Sequence, residues 1–119
     1  RAAVEAYVAR HTAGDIDGIV ALFSPDARVE DPVGSDPHVG ADAVRAFFEG
    51  SHALADHLEL VLTGPIRAVA NRAAFPMQAI STIGDMQLAV DIIGVMTFGD
   101  DGLITDMQAF WAMEDARTL

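Results

Sequence analysis

The chain has 119 residues, a length for one domain (residues 1–119) with a modest core, and at 51% hydrophobic and 21% charged it is too apolar for a disordered chain. A formal net charge of -11, with seven basic residues that are all Arg, argues against nucleic acid and anionic membrane surfaces as partners and excludes a Schiff-base lysine. No apolar run approaches the ~20 residues of a membrane span. The absence of Cys removes disulfides, thiol catalysis and thiolate metal ligands, and fits a reducing cytoplasm, where a soluble protein of this kind is expected.

In chain order, Val4, Tyr7, Val8 and His11 recur at spacings of three and four, which predicts an amphipathic helix over residues 2–13 with Tyr7 facing inward. Gly14 can close it, and Asp15 can cap a second helix over 16–23 that Ser24-Pro25-Asp26 ends. Residues 28–31 read as a strand entering a turn, 33–40 as a Gly/Pro/Asp-rich loop, and 41–50 as a third helix with Val44, Phe47 and Phe48 on its core face. Beyond His57 the pattern becomes extended. Strands are expected at 58–63, 66–70, 73–83, 86–98 and 103–113, separated by turn dipeptides such as Gly64-Pro65 and Gly84-Asp85. The expected fold class is α+β, with three helices on a curved, mostly antiparallel sheet.

Asp31 stands out along this path. Alternation places it on the same side as Val29, and Pro32 favours an extended backbone at Asp31 and withholds the next amide donor. A carboxylate ending a strand at the mouth of an apolar interior is poorly solvated, which makes it a candidate proton acceptor. From alternation alone, a turn aspartate bonded to nearby amides is the commoner situation. Tyr7 is the only tyrosine, and a core-edge tyrosine is its plainer reading. Trp111, the only tryptophan, shares a strand face with Leu103, Met107 and Met113, a stripe that is more often core than ligand platform. Asp91 should lie on the sheet face opposite Gly94. His11, His38, His52 and His57 show no metal-ligand spacing, and no phosphate loop or GxSxG nucleophile is present, so no metal and no cofactor are expected.

The run Ala6-Tyr7-Val8, then Gly14-Asp15-Ile16-Asp17-Gly18-Ile19-Val20-Ala21-Leu22-Phe23, then Val29-Glu30-Asp31-Pro32-Val33-Gly34, resembles the N-terminal half of bacterial Δ5-3-ketosteroid isomerases. Leu62-Thr63-Gly64-Pro65-Ile66-Arg67-Ala68 and Met107-Gln108-Ala109-Phe110-Trp111 look like later segments of the same enzymes. The resemblance implies the cone-shaped nuclear-transport-factor-2-like fold, a homodimer, and a cofactor-free isomerase that moves the double bond of a 3-oxosteroid into conjugation. It implies that Asp31 is the general base and that Tyr7 donates a hydrogen bond to the steroid oxygen. The cavity wall is then expected from Val29, Phe47, Phe48, Phe75, Met77, Val90, Gly94, Met107 and Trp111, around a small apolar ligand.

Two departures qualify the match. Gly94 stands where family members usually carry a second, protonated-carboxyl donor, so the oxyanion hole is expected to be thinner. A water could fill the space, or Gly94→Asp could restore the donor if the cavity admits it. Phe23 and Phe48 replace tyrosines that support the donor tyrosine in some members. A non-catalytic steroid binder, and a polyketide cyclase or epoxide hydrolase on the same cone, remain the alternatives.

Overall fold

A computed structural model describes residues 1–119, and in it helices cover a single mixed sheet. Helix α1 (Ala2–Thr12) ends two residues before Gly14, whose φ of +69° suits glycine and turns the chain into α2 (Ile16–Val20). Asp15 caps α2 as its sequence position suggests, accepting from the amide of Gly18 at 2.9 Å. Helix α2 has only five residues and does not reach Phe23. Phe23 is instead the first residue of strand β1 (Phe23–Glu30), where it is buried and pairs with Ile104. Burying this ring against the sheet outweighs extending a short helix. Pro25 falls within the irregular part of β1, between Phe23 and Arg28, where a missing amide donor breaks no regular ladder.

A two-residue strand, β2 (His38–Val39), lies within the expected loop and pairs with β1. Helix α3 (Ala41–Ala53) runs one turn further than expected, carrying Ser51 and His52 past Gly50. Then come β3 (His57–Leu62), β4 (Arg67–Val69), β5 (Arg72–Ile83), β6 (Met86–Phe98), β7 (Ile104–Phe110) and a short β8 (Ala116–Thr118) that had no counterpart among the expected elements. The order β2-β1-β7-β6-β5-β3, with β4 beside β5 and β8 beside β6, is antiparallel at every pairing except β1 with β7. That parallel pairing places the end of β1 against the end of β7, with Val29 opposite Met107 and Glu30 opposite Gln108.

The core is one cluster of 18 buried residues drawn from the helices and the inner face of the sheet. Helix α1 is fastened to β3 through Thr12, whose hydroxyl donates to the carbonyl of Leu60 at 3.2 Å and accepts from its amide at 3.0 Å. On β6 the residues alternate from Asp91 onward: Ile92, Gly94 and Met96 are buried, whereas Asp91 and Ile93 are exposed. Asp91 accordingly meets polar partners on the outer face, Gln78 at 3.2 Å and Arg117 at 2.7 Å. This arrangement of helices on a mixed sheet is consistent with the expected cone.

Candidate active site

The helices and the inner sheet face enclose a cavity of about 430 Å³, within the range of small-molecule sites. Eleven of its 16 lining residues are hydrophobic, so any charge inside is held in a poorly solvating environment. Tyr7, Asp31, Phe47, Phe48, Met77, Val90 and Trp111 all reach it, bringing together residues from both ends of the chain.

Four other expected wall residues do not line this cavity. Val29, Phe75 and Met107 are buried in the core beneath the wall, at 0%, 1% and 0% exposure. Gly94 is covered for a specific reason. It pairs with Phe75 across β5 and β6, and a β-carbon on it would lie 2.5 Å from Cζ of the Phe75 ring. The space left by the missing side chain is therefore filled by an aromatic ring, leaving no room for a water there.

Asp31 follows the last residue of β1 and sits in a loop pinned on both sides. The amide of Gly34 donates to Oε2 of Glu30 at 2.8 Å, and the amide of Val33 donates to the carbonyl of Ala109 at 2.8 Å. Gly34 has φ +100°, a conformation that L side chains rarely adopt. The Asp31 carboxylate accepts from the indole Nε1 of Trp111 at 2.7 Å. Burial raises its pKa above the ordinary carboxylate value, while the Trp111 hydrogen bond and the nearby His38 act in the opposite direction. A carboxylate in this state is more basic than a solvated one and remains oriented by the indole.

Tyr7 projects from α1 with its ring edge-on to those of Phe23 and Phe48, at centroid distances of 6.4 and 6.2 Å. Burial, and then the charge of Asp31, push its phenol well above the ordinary value. The hydroxyl thus stays protonated and available as a donor. In such a cavity the buried base can accept a proton from carbon at one point while the buried donor stabilises the charge that develops at another.

Several lining residues were not singled out in the sequence: His11, Pro32, Ser51, Leu54, Leu58, Leu60, Ala79, Ser81 and Ile92. Ala79, Ser81 and Ile92 carried a usable signal, because they share strand parity with Met77 and Val90. Ser51 and Leu54 did not, since the helix was expected to end before them. His11 was placed on the inward face of its helix without being given a role. No group of three or more His, Cys, Asp or Glu side chains is disposed to hold a metal ion.

The SnoaL-like domain family matches residues 4–107. The steroid Delta-isomerase of Nocardioides simplex is 42% identical over 115 residues, covering 97% of this chain and 91% of that protein. The epoxide hydrolase LasB of Streptomyces lasalocidi is 31% identical over 116 residues, covering 92% of this chain but only 40% of that longer protein. Among solved structures, the epoxide hydrolase/cyclase-like enzyme SalBIII, described in pyran ring formation in the polyether salinomycin, superposes with a TM-score of 0.89 at 28% identity, over 98% of this chain and 93% of its own. The match over residues 4–107 and the 42% identity across nearly the whole chain establish that this protein belongs to the SnoaL-like, nuclear-transport-factor-2-like family and is a relative of the steroid Δ-isomerases.

Proposed function

We propose that the protein is a single-domain steroid Δ-isomerase in which Asp31 is the general base and Tyr7 the hydrogen-bond donor to the developing oxyanion. The observation that carries this reading is the pairing, in one largely apolar cavity, of a carboxylate made more basic by burial with a phenol kept neutral by burial. Proton abstraction beside a ketone requires that combination. Asp31 takes a proton from C4 of a 3-oxo-Δ5-steroid, the electrons shift through C3 to its oxygen, and Tyr7 donates to that oxygen. The proton then returns from Asp31 to C6, leaving the conjugated enone and a regenerated carboxylate. The balance is internal, so no co-reactant is consumed. Phe47, Phe48, Met77, Val90 and Trp111 contribute apolar contact to the ring system.

The test is the rise in ultraviolet absorbance as a Δ5-3-ketosteroid becomes conjugated. Wild type is expected to catalyse it and Asp31→Asn to lose about 10² to 10⁴ in rate, the usual contribution of a positioned base. Equal rates for the two proteins would remove Asp31 from the mechanism.

The likeness to LasB and SalBIII favours one second reading. A carboxyl held above its ordinary pKa keeps more of its acid form, which can protonate an epoxide oxygen during ring opening. Turnover of an epoxide without any steroid isomerisation would select it. Tight binding of a phenolic steroid with neither reaction would instead identify a binding protein.

A further inference from the structure

Most polar side chains that line the cavity are already engaged within the protein. Asp31 accepts from Trp111, and Ser51 donates to the carbonyl of Phe47 at 3.0 Å. His11 is turned into the wall, with Nδ1 2.9 Å from Nε2 of His52 and its own Nε2 fully buried. Tyr7 faces the reacting oxygen in the mechanism above. What is left is the hydroxyl of Ser81 on β5, which lines the cavity and bonds to no other residue.

This hydroxyl has a definite place along the cavity. Phe75, Met77, Ala79 and Ser81 share the inner face of β5, and burial falls in that order: the first two are buried, the next two half-buried, and Ile83 beyond them is exposed. The helical wall repeats the gradient, from Tyr7 at 2% exposure to Leu54 at 80%. The cavity therefore has a closed end at Tyr7 and Met77 and an open end at Ser81 and Leu54. Four residues of strand separate Met77 from Ser81, about 13 Å, a span comparable with the long dimension of a four-ring steroid skeleton.

The side chains also shrink along this path, so a flat, rigid molecule can lie along β5 over Ala79. Its outer end then meets a single hydroxyl set between Leu58 and Leu88, the cross-strand neighbours of Ser81 on β3 and β6. An alkyl group there would strip water from the hydroxyl and leave it unpaired, whereas an oxygen would replace the lost hydrogen bond. Because a hydroxyl both donates and accepts, a ketone and an alcohol would each be held.

We propose that Ser81 is a specificity-determining residue whose hydroxyl holds an oxygen at the end of the ligand remote from the one that Tyr7 contacts. The cavity is thereby matched to rigid apolar molecules that carry an oxygen at each end. That the near oxygen is a 3-ketone, and the far one a substituent on C17, rests on the isomerase reading above.

The test measures binding of estradiol and of its 17-deoxy analogue, both of which keep the phenolic oxygen, to wild type and Ser81→Ala. It also follows isomerisation of a Δ5-3-ketosteroid with and without a 17-ketone. A neutral hydrogen bond corresponds to about twofold to tenfold. The ratio of the two affinities is expected to shift against estradiol by that factor in Ser81→Ala, with the loss on the 17-keto substrate carried by KM rather than kcat, since the contact is remote from the bonds that change. In wild type itself, the two 17-hydroxyl epimers of estradiol are equally polar and should differ in affinity, because a hydroxyl fixed on a strand reads direction. Equal affinity for the epimers overturns the proposal whether or not the variant folds, and an unchanged ratio in folded Ser81→Ala overturns it too, as does a wild type that binds neither phenol.

A wild type that isomerises the ketosteroid, with an affinity ratio indifferent to Ser81, defeats the serine proposal alone. A wild type inert toward the ketosteroid, whose preference for the 17-oxygen is lost in Ser81→Ala, defeats the isomerase reading alone.

Discussion

Asp31 is governed by opposing influences that come from different parts of the chain. Burial makes its carboxylate more basic, and the indole of Trp111, 80 residues away in sequence, restrains that effect through a 2.7 Å hydrogen bond. Because the base must be ionised to act, kcat/KM should fall as pH drops through the pKa of Asp31 in the free enzyme. Trp111→Phe removes the influence that lowers this pKa, so the acid limb of kcat/KM against pH is expected to move to higher pH, with the ring volume largely kept. An unmoved limb in a folded variant would mean that Asp31 is not the titrating base or that the indole does not restrain it. The inward aim of Asp31 was legible in alternation from Val29 and in Pro32. The indole bond was not, and Trp111 was expected only as apolar wall.

At the level of elements, β5 and β6 settle what the glycine at position 94 means. Phe75 stands directly opposite Gly94 in the register, and its ring lies over the bare backbone, the cross-strand arrangement in which an aromatic residue covers a glycine. Gly94→Asp therefore has to displace a ring that is 1% exposed. Overpacking of this kind typically costs about 1–3 kcal/mol, and a carboxyl forced among apolar neighbours adds a desolvation cost. A lower melting temperature and no gain in turnover are expected, measurable by thermal unfolding and the absorbance assay. A faster, equally stable variant would show that Phe75 yields and that the second donor can be restored on β6. The same dependence on partners shortened α2: five residues are helical, and Phe23 joined the sheet because its ring is buried there against Tyr7 and Phe48.

Across the whole molecule, the sheet has one face in the core and another that carries exposed apolar side chains. Ile93 and Phe110 are direct cross-strand neighbours on β6 and β7, at 48% and 45% exposure. On a chain of net charge -11, this apolar pair is where the homodimer that the family resemblance implies would be expected to make contact. Ile93→Glu would set like charges near each other across a two-fold axis. Sedimentation velocity is expected to find wild type as a dimer and this variant shifted to monomer; a variant that stays dimeric would put the interface elsewhere. No helix is long and apolar enough to cross a membrane.

Sequence periodicity by itself determined the three helices, the long strands β5 and β6, the inward faces of Tyr7 and Asp31, and the outward face of Asp91, because side-chain direction follows from local backbone geometry. Tertiary structure alone decided which of those faces meet. The parallel pairing of β1 with β7 brought Trp111 to Asp31, the register of β5 on β6 laid Phe75 over Gly94, and the packing of α3 beside α1 joined His52 to His11. Each of these contacts joins residues far apart in sequence, and local hydrophobic patterns specify the face a residue presents but not the register of the element that comes to cover it.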